Sequence, residues 1–237
     1  MKFSSWYFIN IPKTGSSILE RSLFHPLQTF IEKNSLPIQR LQIPNENDWK
    51  HKGWIPEIND KTYLISVIRD PLEYLCSWFT YFAHIEDSGW AKIHGPLSDD
   101  PKKIKKQFLY YFEENSELDN IQSKYLSHAH NQLYPKNLIT DPDIVNKNTK
   151  RVNLLFTTDF IQDAKNIDKI RNLICKDLEI DSFDTNSSKL PNFRNIKSSM
   201  LYDSLTVDDI EKINKIINID RIVYEEAKKK EISSGLR

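Results

Sequence analysis

Two short segments rich in aromatic and β-branched residues constrain the fold more than any other feature of the sequence. The first covers residues 6–11 and the second covers residues 63–68, and each ends at a loop that contains proline. Runs of this kind are typical of parallel strands that are covered on both faces. The residues after each run place apolar side chains at helical spacing, so each strand is expected to lead through a tight loop into a helix.

Later segments repeat this alternation of strand and helix. A third strand is predicted over residues 152–157, and a helix over residues 164–178 follows it. Further helices are predicted over residues 107–114, 119–128 and 206–230. We therefore expect an α/β fold, with a P-loop-like parallel β-sheet flanked by helices. No internal repeat or clear linker divides the chain, so we expect a single domain over residues 1–237.

The balance of charge argues against a general attraction for polyanions. The chain has 33 basic and 33 acidic residues, and its formal net charge is zero. It therefore has no basic field to recruit nucleic acid or an anionic membrane, and any anion must be bound at a local site. No apolar run reaches the roughly 18 residues of a membrane span. Residues 1–10 lack the pattern of a signal peptide, so we expect a cytoplasmic protein without a membrane span.

Cysteine and histidine are too scattered to indicate a metal site. Cys76 and Cys175 are the only cysteines, and each lies in an apolar stretch. Buried cysteines of this kind are expected to be free thiols. His128 and His130 are two residues apart, so a helix would place them on different faces. We therefore expect no bound metal.

The loop after the first strand has the chemistry of an anion-binding site. Its sequence, Ile-Pro-Lys-Thr-Gly-Ser-Ser over residues 11–17, precedes a predicted helix. Backbone N–H groups at a helix N-terminus carry partial positive charge, and glycine lets the backbone approach a phosphate group closely. The two serines are also suited to cap the helix, and Glu20 follows at about the distance of a capping box. The candidate anion-binding residues are Lys13, Thr14, Gly15, Ser16 and Ser17.

A second candidate site follows the second strand. Arg69 comes directly after this strand, and the carboxyl ends of strands are where ligands bind in open α/β sheets. Asp70 is suited to cap the next helix, and Pro71 to occupy its first turn. Ser77 lies eight residues beyond Arg69, two turns into that helix. The guanidinium of Arg69 and the hydroxyl of Ser77 could therefore hold one phosphate group from two elements.

Together the two segments resemble the phosphate-binding motifs of sulfotransferases that use 3′-phosphoadenosine-5′-phosphosulfate (PAPS), and they are most similar to the carbohydrate sulfotransferase branch. The resemblance implies that residues 11–17 bind the 5′-phosphosulfate and that Arg69 and Ser77 bind the 3′-phosphate. Tyr74 departs from the family pattern, since many relatives have arginine there. Residues 119–126 resemble a segment that usually forms part of the wall on the substrate side.

The resemblance also implies a reaction. The sulfuryl group of PAPS would be transferred to a hydroxyl or amine of an acceptor, with release of adenosine 3′,5′-bisphosphate and without a metal. Lys13 is placed to stabilise the negative charge on the leaving phosphate. The acceptor needs a general base, and His51 is preferred because it lies between the two motifs. The other candidate bases are His25, Glu20 and His84. The family branch favours a carbohydrate (glycan) acceptor.

Two other functions remain open on the sequence. A P-loop kinase or NTPase would carry a GxxxxGK[ST] loop and a later carboxylate for Mg²⁺. Here Lys13 precedes the glycine, and the second strand ends at Arg69. A non-catalytic member of the fold would bind a nucleotide or a glycan for recognition, and the presence of Lys13, Arg69 and Ser77 argues against it. The sequence does not indicate an oligomeric state.

Overall fold

The computed structural model describes residues 2–41, 53–82, 94–115, 118–128, 138–185 and 196–237. Within these residues, four parallel strands form one sheet in the order β2-β1-β3-β4. The strands are β1 (Ser5–Ile9), β2 (Gln39–Arg40), β3 (Thr62–Ile68) and β4 (Leu154–Thr157). The predicted α/β fold with a parallel sheet flanked by helices is confirmed. That the whole chain forms one domain stays a prediction.

Helices connect the strands and cover the sheet. The helical stretch after β1 begins with α1 (Ser16–Leu19), continues through a π-helical segment (Glu20–Phe24) and ends with α2 (His25–Lys33). A short 3₁₀ helix (Phe160–Gln162) follows β4. The other helices of the described residues are α3 (Pro71–Phe82), α4 (Pro101–Glu114), α5 (Ile121–Ser127), α6 (Pro142–Arg151), α7 (Ala164–Leu178), α8 (Ile196–Ser204), α9 (Val207–Ile216) and α10 (Asn218–Ser233).

β1 and β3 are buried on both faces, which explains their sequences. Alternate side chains of a strand point to opposite faces of the sheet. Trp6 and Phe8 lie in a hydrophobic cluster with the helical stretch after β1 and with α7. Tyr7 and Ile9 lie in a second cluster, with α3 and α10. Full burial of one such side chain contributes roughly 1.5–3 kcal/mol, so a strand of this composition is stable at the centre of the sheet, where β1 and β3 pair.

The pairing register brings the carboxyl ends of three strands together. Ile9 pairs with Ser66, and Ile68 pairs with Thr157, so β1, β3 and β4 end at the same edge of the sheet. The chain runs from β1 to β2 on one side of β1 and then returns to β3 on the other side. The crevice at such a change of direction is where open α/β sheets bind their ligands. The two candidate loops follow β1 and β3 and therefore lie at this crevice.

Three helices begin at places that the apolar spacing does not predict. α4 begins at Pro101 rather than at residue 107, because Asp100 caps it by accepting hydrogen bonds from two backbone N–H groups of the first turn (2.8 and 3.2 Å). Asp141 caps α6 in the same way (2.9 and 3.2 Å), although the sequence pattern predicts no helix there. α8 is also not predicted, and Lys197 lies within it.

The prediction of one helix over residues 206–230 is wrong, because this segment forms two helices. The chain turns at Ile217 (φ −105°, ψ 26°), which separates α9 from α10. Apolar spacing continues across the turn, so the sequence gives no sign of it. Asn120 stabilises the turn, since its side-chain oxygen accepts hydrogen bonds from the N–H groups of Ile219 (2.9 Å) and Asp220 (3.1 Å).

Both cysteines, Cys76 and Cys175, are buried free thiols. Burial raises the pKa of each thiol above its ordinary value, so both favour the protonated form. In the part of the chain that the structure describes, no helix is both long and apolar enough to span a bilayer. The same residues contain no group of three or more His, Cys, Asp or Glu side chains that could hold a metal ion.

Candidate functional site

The loop after β1 has a strained backbone at Lys13. Lys13 has φ 62° and Gly15 has φ 84°, so both adopt the left-handed region. Glycine enters this region without steric cost, whereas a residue with a side chain loses about 1–2 kcal/mol there. Thr14 is fully buried between them, and its hydroxyl donates a hydrogen bond to the carbonyl oxygen of Ile11 (2.8 Å). Such strain persists only where the surrounding structure determines the conformation, and it is concentrated at functional sites.

The helix after this loop begins differently from the sequence prediction. Gly15 is the N-terminal cap of α1, and no side chain provides a capping hydrogen bond. Capping by Ser16 or Ser17 is therefore not observed; Ser16 is buried and Ser17 is exposed. Glu20 does not complete a capping box, because it accepts two hydrogen bonds from Arg40 (2.7 and 3.0 Å). The N–H groups of Ser16 and Ser17 can therefore donate to an anion, whereas the N–H group of Ile18 donates to the carbonyl oxygen of Gly15 (3.0 Å).

Arg69 links the two candidate loops. Its guanidinium donates a hydrogen bond to the carbonyl oxygen of Lys13 (3.3 Å) and forms an ion pair with Glu73 in the first turn of α3 (3.4 Å). Asp70 caps this helix by accepting hydrogen bonds from two backbone N–H groups (3.0 and 3.1 Å). The predicted helix start at Asp70 and Pro71 is confirmed, and it fixes where Arg69 leaves the end of β3.

Two carbonyl groups of the first loop are held by residues that follow neighbouring strands. The carbonyl of Lys13 accepts from Arg69, after β3, and the carbonyl of Thr14 accepts from the hydroxyl of Thr158, after β4 (3.0 Å). In a trans peptide, the N–H group of the next residue points away from the preceding carbonyl. The N–H groups of Thr14 and Gly15 are therefore directed away from these two donors, and the loop presents its backbone donors in a fixed orientation.

One face of α3 runs between the two cationic side chains. Glu73, Ser77 and Tyr81 are four residues apart, so they lie on the same face of the helix. Glu73 contacts Arg69 at one end of this face, and the ring centroid of Tyr81 lies 4.0 Å from the ammonium of Lys13 at the other. Ser77 is buried between these two contacts. The structure thus brings the Lys13 loop, Arg69 and Ser77 to one region.

The charge of Lys13 is not neutralised within the described part of the chain. No ion pair joins its ammonium to a carboxylate among these residues. Burial, and then the positive charge of Arg69, lowers the pKa of Lys13 below its ordinary value. Loss of solvent and a like charge both disfavour the ammonium form, and a bound anion would counteract both effects. The contact with Tyr81 offsets only part of this cost, since cation–π contacts contribute about 0.5–2 kcal/mol.

The structure describes only two of the four candidate general bases. His51, which the sequence favours, and His84 lie outside the described residues. His25 is exposed at the start of α2. Glu20 is buried and forms an ion pair with Arg40 (2.7 Å), so its carboxylate is already engaged. The identity of the base therefore stays a prediction.

Three further side chains at the site are not singled out by the motifs. Tyr81 lies four residues after Ser77, so helical spacing points to it. Thr158 follows β4 directly, and the rule that ligands bind at strand ends would have identified it. Gln122 belongs to the segment that resembles a substrate wall, yet its side chain contacts the backbone of Arg69. No local pattern indicates that contact.

The arrangement is suited to bind a ligand with two separated anionic groups. It combines the charge of Lys13, the forked donor of Arg69, the hydroxyl of Ser77 and uncapped backbone N–H groups. These donors come from two strand-to-helix junctions at one crevice. No model of a known protein family matches the chain, and a search of curated proteins also finds no match.

Proposed function

We propose that the chain is a PAPS-dependent sulfotransferase that transfers a sulfuryl group to a hydroxyl group, or an amine, of a carbohydrate acceptor. One observation carries this proposal: the Arg69 guanidinium reaches the carbonyl oxygen of Lys13 (3.3 Å), so the two strand-to-helix junctions that carry these cationic residues are in contact. Lys13 has no carboxylate partner among the described residues, as expected of a site that awaits an anion. The resemblance of both segments to the family's motifs suggests which anion it is.

Each motif is assigned one end of PAPS. The hydroxyls of Ser16 and Ser17, the uncapped N–H groups and Lys13 would hold the 5′-phosphosulfate at the N-terminus of α1. The Thr14 hydroxyl instead stabilises the loop, because it is buried and donates to the carbonyl oxygen of Ile11. Arg69 and Ser77 would hold the 3′-phosphate, which distinguishes PAPS from ATP. The Arg69 guanidinium donates three hydrogen bonds to Glu73 and Lys13, and its remaining N–H groups can bind phosphate.

The roles of the side chains follow from where charge develops. PAPS supplies an activated sulfuryl group, whose bond to the leaving phosphate oxygen breaks as a bond to the acceptor forms. The ammonium of Lys13 would stabilise the negative charge that grows on that phosphate oxygen. Partial burial strengthens such an interaction, because water screens it less. The proton of the acceptor would pass to a general base, for which His51 is proposed on the sequence alone.

Arg69→Ala is expected to weaken the binding of adenosine 3′,5′-bisphosphate about 100-fold, because it removes a charged contact to the 3′-phosphate. Calorimetric titration of the wild-type and variant proteins, beside ATP with Mg²⁺, measures this loss. Arg171→Ala is the matched control, since Arg171 on α7 is also partly buried and paired with a carboxylate (Asp168, 3.2 Å). It should bind the bisphosphate like the wild type.

The same titration decides between the candidate functions. A ligand at 100 times its Kd stabilises a fold by about 2.7 kcal/mol, so thermal unfolding provides a second measure. Well-folded wild-type protein that does not bind the bisphosphate would contradict the sulfotransferase proposal, and ATP turnover that depends on Mg²⁺ would favour a P-loop kinase or NTPase. Binding of PAPS without transfer to any acceptor in a glycan screen would favour a non-catalytic member of the fold.

His51→Ala is expected to reduce turnover about 10²-fold or more, since loss of a general base removes an effect of that size. The dissociation constant for the bisphosphate should not change, because the base contacts the acceptor rather than the nucleotide. The rate of sulfate transfer to the acceptor found in the glycan screen is the measurement. His94→Ala replaces an exposed histidine that is not among the candidate bases and serves as the control. Near-normal turnover in His51→Ala would exclude His51.

A further inference from the structure

The side chain of Gln122 forms a two-point contact with the backbone of Arg69. Its amide oxygen accepts a hydrogen bond from the N–H group of Arg69 (2.9 Å), and its amide nitrogen donates one to the carbonyl oxygen of the same residue (3.0 Å). Gln122 is fully buried, so water does not compete for these bonds. The contact fixes the peptide groups on both sides of the Arg69 Cα atom.

Gln122 is itself held by a buried carboxylate. Asp220 accepts hydrogen bonds from the N–H groups of Gln122 (3.2 Å) and Ser123 (2.7 Å), and from the Ser123 hydroxyl (2.5 Å). In return, the side chain of Asn120 caps the first turn of α10. α5 and α10 thus cap each other's N-termini, and the position of Gln122 is determined by both helices.

Arg221, the residue after Asp220, contacts the residue that follows Arg69. Arg221 forms an ion pair with Asp70 (2.6 Å), the residue that caps α3. The start of α10 therefore supports Arg69 from two directions, through Gln122 and through Asp70. A side chain whose backbone is fixed in this way loses less conformational freedom when it binds a ligand.

We propose that Gln122 is a positioning residue, which holds the backbone of Arg69 so that the guanidinium is directed at the 3′-phosphate. This inference rests on the proposed function. An amide side chain offers a donor and an acceptor at the spacing of one residue's N–H and carbonyl groups at any pH. Because a guanidinium recognises phosphate by direction as well as by charge, Gln122 contributes to recognition of the 3′-phosphate without touching it. Its effect on the 5′ end should be smaller, because Arg69 reaches that loop only through one hydrogen bond to the carbonyl oxygen of Lys13 (3.3 Å).

Gln122→Met tests this inference, since it keeps the length of the side chain and removes both hydrogen bonds. We expect the variant to bind adenosine 3′,5′-bisphosphate about tenfold more weakly than the wild type. Its affinity for adenosine 5′-phosphosulfate, which lacks the 3′-phosphate, should fall by a clearly smaller factor, since Arg69 contacts the 5′ loop only at the carbonyl oxygen of Lys13. Calorimetry gives both dissociation constants. Their ratio separates positioning from a general loss of structure, because the latter weakens the binding of both ligands equally.

Gln107→Met provides a matched control. Gln107 on α4 also makes a two-point backbone contact, accepting from the N–H group of Ser98 (3.1 Å) and donating to the carbonyl oxygen of Pro96 (3.2 Å). We expect this variant to keep the wild-type ratio of affinities, because the backbone that it releases does not carry Arg69.

An equal loss of affinity for both ligands in Gln122→Met, or no loss for either, would overturn the inference. Failure of the wild-type protein to bind the bisphosphate would refute the proposed function instead, so the two failures are distinguishable. If Gln122→Met does not fold, Gln122→Asn carries the test, because asparagine keeps the amide but is one methylene shorter and cannot reach both backbone groups of Arg69 from the same position. The same selective loss is expected, and an unchanged ratio would again overturn the inference.

Discussion

For the proposed sulfuryl transfer, Lys13→Met is expected to reduce turnover about 10³-fold, because removal of one preorganised donor at a developing negative charge has an effect of this order. Methionine is nearly as long as lysine, and its thioether can pack on the Tyr81 ring in place of the ammonium, so the loop should keep its conformation. The charge on the leaving phosphate grows in the transition state, so turnover should fall by a larger factor than the affinity for the bisphosphate. Steady-state kinetics and calorimetry on the same preparation measure both quantities.

Lys33→Met is the control for this variant. Lys33 is exposed in the last turn of α2, and its loss should leave turnover unchanged. Turnover of Lys13→Met within a few-fold of the wild type would mean that the ammonium of Lys13 does not stabilise the leaving group. If thermal stability falls together with turnover in Lys13→Met, Lys13 instead stabilises the folded structure rather than the transition state.

Asp220→Ala is expected to lower the free energy of unfolding by about 3–5 kcal/mol, a large part of the stability of a typical domain. The carboxylate accepts from two backbone N–H groups and one hydroxyl, and the side chain is almost inaccessible to water. Alanine would leave these buried donors without partners. Urea denaturation measures the change. Asp208→Ala, at an exposed position in the first turn of α9, should change stability by less than about 0.5 kcal/mol.

The buried Asp220 carboxyl also makes stability depend on pH. Burial raises its pKa from 3.8 to about 6, although the hydrogen bonds from Ser123 and Gln122 act in the opposite direction. Between these values the folded state binds more protons than the unfolded state, so this contribution to the free energy of unfolding falls as pH rises from about 4 to about 6. The difference between wild type and Asp220→Asn should shrink by up to about 3 kcal/mol across this window. A difference independent of pH would contradict this prediction.

Local sequence patterns predict the elements that carry the two candidate loops. β3 is a run of seven buried residues, and Asp70 with Pro71 correctly predicts the start of α3. The same Asp-Pro pair opens α4 and α6, at residues 100–101 and 141–142. The capping rule, applied to these two pairs, would have found both starts, because a helix cap depends on neighbours in the sequence.

Contacts between distant residues account for what the sequence does not predict. Asn120 and Asp220 are 100 residues apart, and no local pattern shows that each caps the other's helix. The turn at Ile217 depends on that contact, while the apolar spacing around it is that of one continuous helix. Gln122 and Arg69 are 53 residues apart and meet only because α5 docks beside the end of β3. The position of the motif residues at strand-to-helix junctions could therefore be predicted, whereas the residues that hold them could not.

Because α5 and α10 cap each other, the parts of a newly made chain are expected to fold in a definite order. Residues 11–17 leave the ribosome early, and Asp220 and Arg221 follow about 200 residues later. Contacts across such a separation form late, because closing a long loop costs conformational entropy. Until α10 docks, Gln122 has no fixed position from which to hold Arg69. We therefore expect a nascent chain to form the loop of residues 11–17 well before it can orient Arg69, so the ability to bind the proposed ligand should be acquired only at the end of folding.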